Sequence, residues 1–342
     1  DSLDTNLITA KELEQKIENL KISKDNTTKP LAPLFKDDNE YEEFKKRHSV
    51  AKVPRAKLKD LKGDCFLGID AGSTTTKLVL IDNEGKLLYS LYGNNEGNPL
   101  KSVISMLKKM YVEIPNTATL RYSGVTGYGE KLIQTALNVD LNEIETIAHY
   151  TAAKQFEPDV TAIIDIGGQD MKYIKMKNGS IDNILLNEAC SSGCGSFIET
   201  FAKSLNYSVQ DFAKAALYAK HPIDLGTRCT VFMNSSIITE QRNGKNPEDI
   251  MAGLCRSIIQ NVFTKVIRVS NLDSLGTKIV VQGGTFENDA VLRAMEEYVG
   301  REVIRAPYPG IMGAIGVGLI AKEQYEKNPK EVSTWDLRDL DT

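Results

Sequence analysis

The stretch Phe66-Leu-Gly-Ile-Asp-Ala-Gly-Ser-Thr-Thr-Thr-Lys77 joins a short apolar strand to an acidic residue and a turn of small residues. A second strand follows at residues 77–82, and the turn Asn83-Glu-Gly85 leads into a third at residues 86–91. This order predicts antiparallel strands, with the turn rich in glycine and hydroxyl groups between the first two. Glycine lets the backbone approach a ligand closely and small hydroxyls add donors, so the turn is suited to binding phosphate.

The same unit occurs again 95 positions later, so that Asp70 has a counterpart in Asp165. A strand at residues 161–165 ends on this second aspartate, and the turn Ile166-Gly-Gly-Gln-Asp170 leads to a returning strand at residues 171–176. The strong hairpin signal Asn178-Gly179 then precedes a third strand at residues 180–186. The repetition predicts a duplicated α/β protein in which each half presents an aspartate and a glycine turn.

Two opposed loops of this kind can bind one Mg-nucleotide across a cleft. Carboxylates repel bare phosphate, so Asp70 and Asp165 are expected to act through Mg²⁺, partly by way of its water ligands. The alternative is that both turns are ordinary hairpins, but the two matching units and a later glycine pair favour a nucleotide. Besides the two aspartates, the expected nucleotide-binding residues are Gly72, Ser73, Thr74, Thr75, Lys77, Gly167, Gly168, Gln169, Gly283 and Gly284. The chain has neither a Walker-type phosphate loop nor a Rossmann glycine fingerprint, which argues against those two folds.

These motifs resemble those of the actin/Hsp70/sugar-kinase superfamily, which has a two-lobed, RNase H-like ATPase fold. Residues 66–77 and 163–170 are similar to its two phosphate motifs, and Val280-Val-Gln-Gly-Gly-Thr285 is similar to its adenosine motif. Glu145-Thr-Ile-Ala-His149 is similar to its connecting helix. The resemblance implies that Glu145, Gln169 and Asp170 are catalytic, with Glu145 or Gln169 positioning the attacking water. As an alternative, Glu145 is an ordinary acid at a helix N-terminus, where the macrodipole favours it.

Two further features narrow the resemblance to the BadF/BadG/BcrA/BcrD-type ATPases. These are the Gly-Gly-Gln-Asp form of the second turn and the run Asn187-Glu-Ala-Cys-Ser-Ser-Gly-Cys-Gly-Ser-Phe197. Both are similar to 2-hydroxyacyl-CoA dehydratase activators and to the ATP-hydrolysing subunits of benzoyl-CoA reductase. The resemblance covers residues 65–322 and is closest to the activase-like repeats of very large multidomain members. A chain that begins at Asp1 is therefore expected to be part of a longer polypeptide.

By this resemblance the chain is an ATPase that couples hydrolysis to low-potential electron transfer from a [4Fe–4S] cluster on a dimer axis. The matching cysteines are Cys190 and Cys229. Because such a cluster needs four thiolates, the resemblance implies a homodimer, or a pseudo-dimer with another repeat of the parent chain. Cys194 stands where a hydroxyl residue is expected, and it is open as an alternative ligand, a neighbouring thiol or an inert residue. The alternative for Cys190 and Cys229 is two buried free thiols.

The implied partners are an iron–sulfur dehydratase or reductase component and an electron donor such as ferredoxin or flavodoxin. Two other functions stay open, a small-molecule kinase of the same fold and a non-catalytic, nucleotide-binding regulatory module. No sugar-kinase substrate signature is visible, and both nucleotide loops are intact, which argues against the second alternative. The histidines carry little weight, and His149 is expected to pack or to form hydrogen bonds rather than to do chemistry.

The bulk composition is that of a soluble globular protein: 342 residues, of which 41% are hydrophobic and 26% are charged. A net charge of −4 does not indicate binding to nucleic acid or to an anionic membrane. No apolar run approaches the roughly 20 residues of a membrane span, and no signal peptide is visible, so a cytoplasmic location is expected. An odd number of cysteines, five, argues against a disulfide framework. Cys65 and Cys255 are expected to be buried structural thiols.

The expected domain division has four parts: a charged leader with a short helix at residues 1–62, a first ATPase lobe at 63–157, a second lobe with the cluster cysteines at 158–322, and a C-terminal extension at 323–342. Within the leader, residues 24–62 are dense in charge and contain prolines at 30, 33 and 54. This composition predicts a linker or a loosely docked extension.

Overall fold

The computed structural model describes residues 31–187, 194–227 and 230–329. In chain order its helices are α1 (Asp38–His48), α2 (Pro99–Glu113), α3 (Glu130–Leu137), α4 (Glu145–Phe156), α5 (Gly195–Ser204), α6 (Val209–Leu217), α7 (Thr230–Arg242), α8 (Pro247–Asn261), α9 (Asp289–Val299) and α10 (Met312–Lys327). Its strands are β1 (Gly63–Ala71), β2 (Thr75–Asp82), β3 (Leu87–Asn94), β4 (Ala118–Thr126), β5 (Leu141–Asn142), β6 (Ala162–Ile166), β7 (Met171–Lys177), β8 (Ser180–Asn187), β9 (Ile279–Gln282) and β10 (Ile304–Arg305).

The first sheet has the strand order β3-β2-β1-β4-β5. The central strand β1 is antiparallel to β2 and parallel to β4, and β2 is antiparallel to β3. Leu67 and Ile69 belong to the same buried cluster as the apolar side chains of α2. Phe66 belongs to the cluster that contains Ala314 and Ile315 of α10. Since both faces of β1 are covered, its sequence is a continuous apolar run rather than an alternating one.

The second sheet repeats this order as β8-β7-β6-β9-β10. Here β6 is antiparallel to β7 and parallel to β9, β7 is antiparallel to β8, and β9 is parallel to β10. Each strand of the second sheet therefore occupies the position that its counterpart occupies in the first sheet. The predicted duplicated, two-lobed α/β fold of the actin/Hsp70/sugar-kinase type is confirmed.

Helices α4 and α10 pack closely against each other, and α10 also packs on β1, β2 and β4 of the first sheet. A Cβ atom on Gly316 would overlap Ala148 O, and one on Gly68 would overlap Ala314 O. These two glycines therefore permit direct backbone contact between α10 and its neighbours. The expected division placed all of residues 158–322 in the second lobe. The structure corrects this boundary, because the small residues of α10 allow the helix to lie on the first sheet.

Residues 31–48 dock firmly on the second lobe. Leu34, Phe35 and Phe44 are buried in its hydrophobic core. Arg47 donates two hydrogen bonds, of 2.6 and 2.8 Å, to the carboxylate of Glu296 in α9. The prediction of a linker or a loosely docked extension is corrected for this part, since α1 buries Phe44 in the lobe and also forms ion pairs with it. The short helix expected before residue 24 lies outside the described residues.

Among the described residues, one helical stretch, Pro247–Ile267, is long and apolar enough to cross a membrane, judged by length and composition alone. Of its most apolar window, 72% is buried inside the protein. Ile250, Leu254 and Ile258 are fully buried in the core of the second lobe. This burial is that of a core helix.

Candidate active site

The first glycine turn lies where β1 ends and β2 begins. Gly72 donates its N–H to Thr75 O over 2.9 Å, and Asn95 Nδ2 donates to Gly72 O over 2.8 Å. The N–H of Asn95 also donates to Thr74 O over 2.9 Å. Because a buried asparagine braces the turn from the end of β3, the small residues 72–75 hold one conformation against the cleft.

The second glycine turn lies between β6 and β7 and is braced by the start of α5. Gly195 donates its N–H to Gly167 O over 2.8 Å, and Ser196 donates its N–H to Gly168 O over 2.7 Å. A Cβ atom on Gly168 would lie 3.1 Å from Thr74 Oγ1 of the first turn. The two turns therefore face each other at close range, and a side chain at this position would fill the space between them.

Between the turns lies a cleft of about 790 Å³, a size within the range of small-molecule sites. The structure brings to this cleft all of the residues expected to bind nucleotide or to act in catalysis. They are Asp70, Gly72, Ser73, Thr74, Thr75, Lys77, Glu145, Asp165, Gly167, Gly168, Gln169, Asp170, Gly283 and Gly284. Gln169 is exposed at the tip of the second turn.

The glycine pair expected near the adenosine lies directly after β9. Gly283 has φ +92° and donates its N–H to Pro309 O over 2.7 Å. A Cβ atom on Gly283 would overlap Ile166 O of β6, so both the dihedral angle and the space require glycine. Gly284 lies beside the side chain of Tyr92, at 3.4 Å from its hydroxyl to an added Cβ. The pair therefore allows the end of β9 to lie close both to the second turn and to the first lobe.

Asp70, at the end of β1, offers an unsatisfied carboxylate oxygen. Its Oδ2 accepts a hydrogen bond from Lys77 Nζ over 3.1 Å, whereas Oδ1 is buried and has no hydrogen-bond partner among the described residues. Burial raises the pKa of Asp70, although the charge of Lys77 opposes this effect. A hydrated divalent cation would satisfy Oδ1 and favour the ionised form. Since Mg²⁺ binds few carboxylates and keeps several waters, this residue fits the expected Mg²⁺ site.

Asp165, the counterpart of Asp70, contacts a histidine. His149 Nδ1 lies 2.8 Å from Asp165 Oδ2 and 2.9 Å from Gln282 Nε2. Burial would lower the pKa of His149, but the Asp165 carboxylate raises it to about 10. Burial would likewise raise the pKa of Asp165, but the charge of His149 holds it below its usual value. The two side chains therefore form a buried ion pair.

Glu145 begins α4, and its carboxylate is held by a buried lysine. Lys172 Nζ lies 2.9 Å from Glu145 Oε1 and also donates a hydrogen bond to Asp170 Oδ2. His149 Nε2 lies 3.5 Å from the same oxygen of Glu145. Burial would raise the pKa of Glu145, but the neighbouring imidazole of His149 and the charge of Lys172 hold it well below the usual range. Glu145 is therefore an ionised hydrogen-bond acceptor at neutral pH.

His149 and Lys172 are residues of the cleft that the sequence patterns do not single out as functional. For Lys172 a signal exists in the repeat, because it follows Asp165 by the same interval as Lys77 follows Asp70. In each antiparallel strand pair the lysine also lies directly opposite its aspartate. His149 lies within the connecting-helix motif, but its contact with Asp165 joins two segments that only the folded chain brings together.

The cysteines divide into two groups. Cys190 and Cys229, the expected cluster ligands, lie outside the described residues, whereas Cys194 is buried directly before α5. Cys65 and Cys255 are buried, and this burial raises the pKa of each thiol to about 12, as expected of inert structural thiols. Within the described part of the chain, no group of three or more His, Cys, Asp or Glu side chains is arranged to hold a metal ion.

Comparison with known proteins identifies relatives of this chain. The model of the BadF/BadG/BcrA/BcrD ATPase family matches residues 67–321. The (R)-2-hydroxyglutaryl-CoA dehydratase activating ATPase of Acidaminococcus fermentans is 30% identical over 265 residues, which are 76% of this chain and 98% of the relative. A benzoyl-CoA reductase component of Thauera aromatica is 23% identical over 271 residues, covering 76% and 94% of the two chains. One similar solved structure is the activator of the 2-hydroxyisocaproyl-CoA dehydratase from Clostridium difficile with bound ADPNP. It superposes on this chain with a TM-score of 0.68 at 27% identity, and the match covers 80% of this chain and 99% of that one.

The matched region contains both glycine turns, the connecting helix α4 and most of α10. It also contains Asp70 at the end of β1 and Asp165 near the end of β6. The prediction of an ATPase is confirmed, and the chain belongs to the BadF/BadG/BcrA/BcrD ATPase family.

Proposed function

We propose that this chain is an ATP-driven activator that couples ATP hydrolysis to the transfer of a low-potential electron to a partner iron–sulfur enzyme. The partner is of the 2-hydroxyacyl-CoA dehydratase or benzoyl-CoA reductase type, in line with the names of the relatives. The observation that carries the proposal is the pair of facing glycine turns, each flanked by an aspartate–lysine ladder pair. A cytoplasmic location follows from the substrates, since ATP and CoA thioesters are metabolites of the cytoplasm.

Mg-ATP binds in the cleft with its phosphates between the two turns. Residues 72–75 and 167–169 line the space between the turns, and small glycine and hydroxyl residues of this kind are suited to binding anionic oxygens. Asp70 and Asp165 are the residues that would hold Mg²⁺, by way of its water ligands, and a bound Mg²⁺ would supply positive charge against the phosphates. Gly283 and Gly284 leave room for the adenosine beside the second turn.

Hydrolysis proceeds by in-line attack of a water on the γ-phosphorus. The water oxygen forms a bond to phosphorus while the bond to the β–γ bridging oxygen breaks, and ADP leaves with that electron pair. Glu145 or Gln169 orients the water. Because the pKa of Glu145 is held low, its carboxylate serves to orient the water by accepting a hydrogen bond, and the water proton passes to the phosphate product.

Cys190 and Cys229 are proposed to ligate a [4Fe–4S] cluster together with two cysteines from a second chain or another repeat. Cys190 lies five residues before the start of α5, and Cys229 lies one residue before the start of α7. When bound, such a cluster supplies a one-electron carrier of low potential. Reduction is proposed to come from a ferredoxin or flavodoxin, and the electron passes to the iron–sulfur partner.

A physical link joins the phosphate site to the proposed cluster segment. The first N–H group of α5 donates to Gly167 O of the second turn, so a shift of this turn on nucleotide binding displaces the start of α5. The same helix begins just after the segment that contains Cys190. Closure of the two lobes around ATP therefore reaches the cysteine segment through one hydrogen-bonded helix end, a hinge-type motion common among two-lobed enzymes.

The test uses the full chain, purified without oxygen and supplied with iron and sulfide. Inorganic phosphate release from Mg-ATP is measured without any added acceptor, and Mg-ADP binding is measured by calorimetry. The proposal expects phosphate release that depends on Asp70, and binding of about one nucleotide per chain. Phosphate transfer only to an added small molecule would identify a kinase instead, and Mg-nucleotide binding without any phosphate release would identify a non-catalytic module. Either result would overturn the proposal.

A further inference from the structure

The duplication of the fold places two lysines at equivalent positions, but they have different partners. Lys77 and Lys172 face Asp70 and Asp165 in their respective antiparallel ladders. Lys77 Nζ stays with its own aspartate, at 3.1 Å from Asp70 Oδ2. Lys172 Nζ instead binds Asp170 of the second turn and Glu145 of the connecting helix, at 2.9 Å from Glu145 Oε1. The two halves of the site are therefore equivalent in backbone and different in charge pairing.

His149 accounts for this difference. It projects from α4 onto Asp165 and occupies that carboxylate at 2.8 Å. On the other side of the site, α10 brings Gly313 to the matching place, where an added Cβ would lie 2.7 Å from Asp70 Oδ2. Because α10 offers no side chain there, Lys77 keeps its aspartate. Because α4 offers an imidazole, Lys172 is free to bind Glu145.

We propose that Lys172 is a positioning residue of the ATP cleft, which holds Glu145 as an oriented carboxylate for the attacking water. The inference rests on the proposed function, since it concerns the residue proposed to orient that water. The side chain of Lys172 is 5% exposed, so its ammonium is nearly removed from solvent, whereas Glu145 is 28% exposed toward the cleft. Glu145 lines the cleft, so its carboxylate is held next to the space in which the attacking water is proposed to lie.

The position of Lys172 also limits the conformations open to the side chain of Glu145. An unrestrained glutamate samples several rotamers, whereas contact of Oε1 with a buried ammonium restricts the carboxylate to one. The charged groups around Glu145 come from several elements. They are His149 on α4, Lys172 and Asp170 at β7 and its preceding turn, Asp165 on β6, Asp70 and Lys77 on β1 and β2, and Glu130 on α3.

The test compares ATP hydrolysis by K172M, K172R and the wild-type full chain over a range of pH. In K172M the lost ammonium no longer stabilises ionised Glu145, so the acid limb of kcat moves to higher pH and kcat falls about 10- to 100-fold. K172R keeps the charge and is expected to restore most of the acid limb. The matched control is K175M on the same strand, since Lys175 is partly exposed and has no role in the cleft.

A structural role alone would lower activity equally at every pH, and an unmoved acid limb in K172M would overturn the inference. A second measurement does not depend on the pH limb. If Lys172 acts through Glu145, the double variant E145Q/K172M loses hardly more activity than E145Q, whereas independent roles give losses that multiply. Losses that multiply would also overturn the inference.

Failure of the proposed function gives a different result, in which the wild-type chain itself releases no phosphate from ATP.

Discussion

The imidazole of His149 and the carboxylate of Asp165 form a buried ion pair, with 2.8 Å between Nδ1 and Oδ2. Both side chains are almost wholly excluded from solvent, at 7% and 3% exposure. This pair joins the connecting helix to the second glycine turn, and so links the two lobes at the base of the cleft. Asp165 therefore pairs with His149 rather than with Lys172, which lies opposite it on β7.

His149→Ala is expected to destabilise the chain, because it leaves a buried carboxylate without its cation. The free energy of unfolding should fall by about 3 kcal/mol, as for other broken buried pairs. His149→Gln, which can still donate a hydrogen bond, should lose less. Urea unfolding of the two variants and the wild type measures this difference. Equal stability of all three proteins would show that the ion pair does not stabilise the fold.

Asp70→Asn is expected to weaken Mg-dependent nucleotide binding specifically. The buried Oδ1 of Asp70 lacks a hydrogen-bond partner in the described structure, and the substitution removes its charge. Loss of a group that binds a metal through water typically costs roughly 10- to 100-fold in metal affinity. The dissociation constant of Mg-ADP should rise by this factor, whereas binding in excess chelator should hardly change. Asp82→Asn, at the far end of β2, is the matched control.

Glycines 316 and 318 of α10 provide a comparison within one helix. A Cβ atom on Gly316 would overlap Ala148 O, whereas one on Gly318 would meet its nearest atom at an ordinary 3.5 Å. Gly316→Ala should therefore destabilise the chain by about 3 kcal/mol, since neither helix backbone can yield without loss of packing. Gly318→Ala should be neutral or stabilising by up to about 1 kcal/mol, because alanine favours the helix. Thermal unfolding of both variants checks the contrast.

The fold and the phosphate turns could be predicted because their signals are local. Apolar strands, the Asn178-Gly179 hairpin and the small residues after Asp70 lie within a few positions of one another. The division of the lobes could not be predicted in the same way. The placement of α10 on the first sheet depends on Gly68 and Gly316, which are distant in sequence and show their role only in contact.

Which charged groups pair with each other in the cleft could not be predicted from sequence patterns, for the same reason. Equal spacing after the two aspartates indicates that Lys77 and Lys172 are equivalent, and a simple repeat would pair each lysine with its own aspartate. The actual pairing differs because His149 reaches Asp165 from another element. A competition among buried groups for one carboxylate is decided by distances in the folded chain, and no spacing rule contains it.

The contact between α1 and the second lobe is expected to stabilise the chain less at acid pH than at neutral pH. Burial would raise the pKa of Glu296, but hydrogen bonds from Arg47 and His48 lower it to about 2. A lowered folded-state pKa gives stability that is present above the ordinary carboxyl value of about 4.3 and is lost as the pH falls toward 2. Glu296→Gln should cost about 2 kcal/mol at pH 7, and the difference from wild type should shrink below pH 4.

Denaturant unfolding of Glu296→Gln at several pH values measures this dependence. The matched control is Glu302→Gln, because Glu302 also contacts Arg47, at 3.3 Å, but is 73% exposed. The exposed pair should contribute little, as surface ion pairs usually do. A cost of Glu302→Gln as large as that of Glu296→Gln would show that burial is not what makes the α1 contact strong.

The assignment of Cys190 and Cys229 as cluster ligands predicts that substituting them changes the iron content of the chain, whereas substituting a buried thiol does not. Cys190→Ser and Cys229→Ser should each abolish iron binding, because a four-iron cluster shared by two chains cannot lose two of its four thiolates and persist. The wild-type chain should bind about two irons, the share of one chain in such a dimer. Cys255→Ala is the matched control, since Cys255 is buried inside α8 and should keep its iron content. Iron and sulfide analysis of anaerobic preparations measures all four proteins, and Cys194→Ser assayed beside them tests that residue as an alternative ligand. Full iron content in both Cys190→Ser and Cys229→Ser would contradict the cluster while leaving the ATP cleft, which rests on other residues, unaffected.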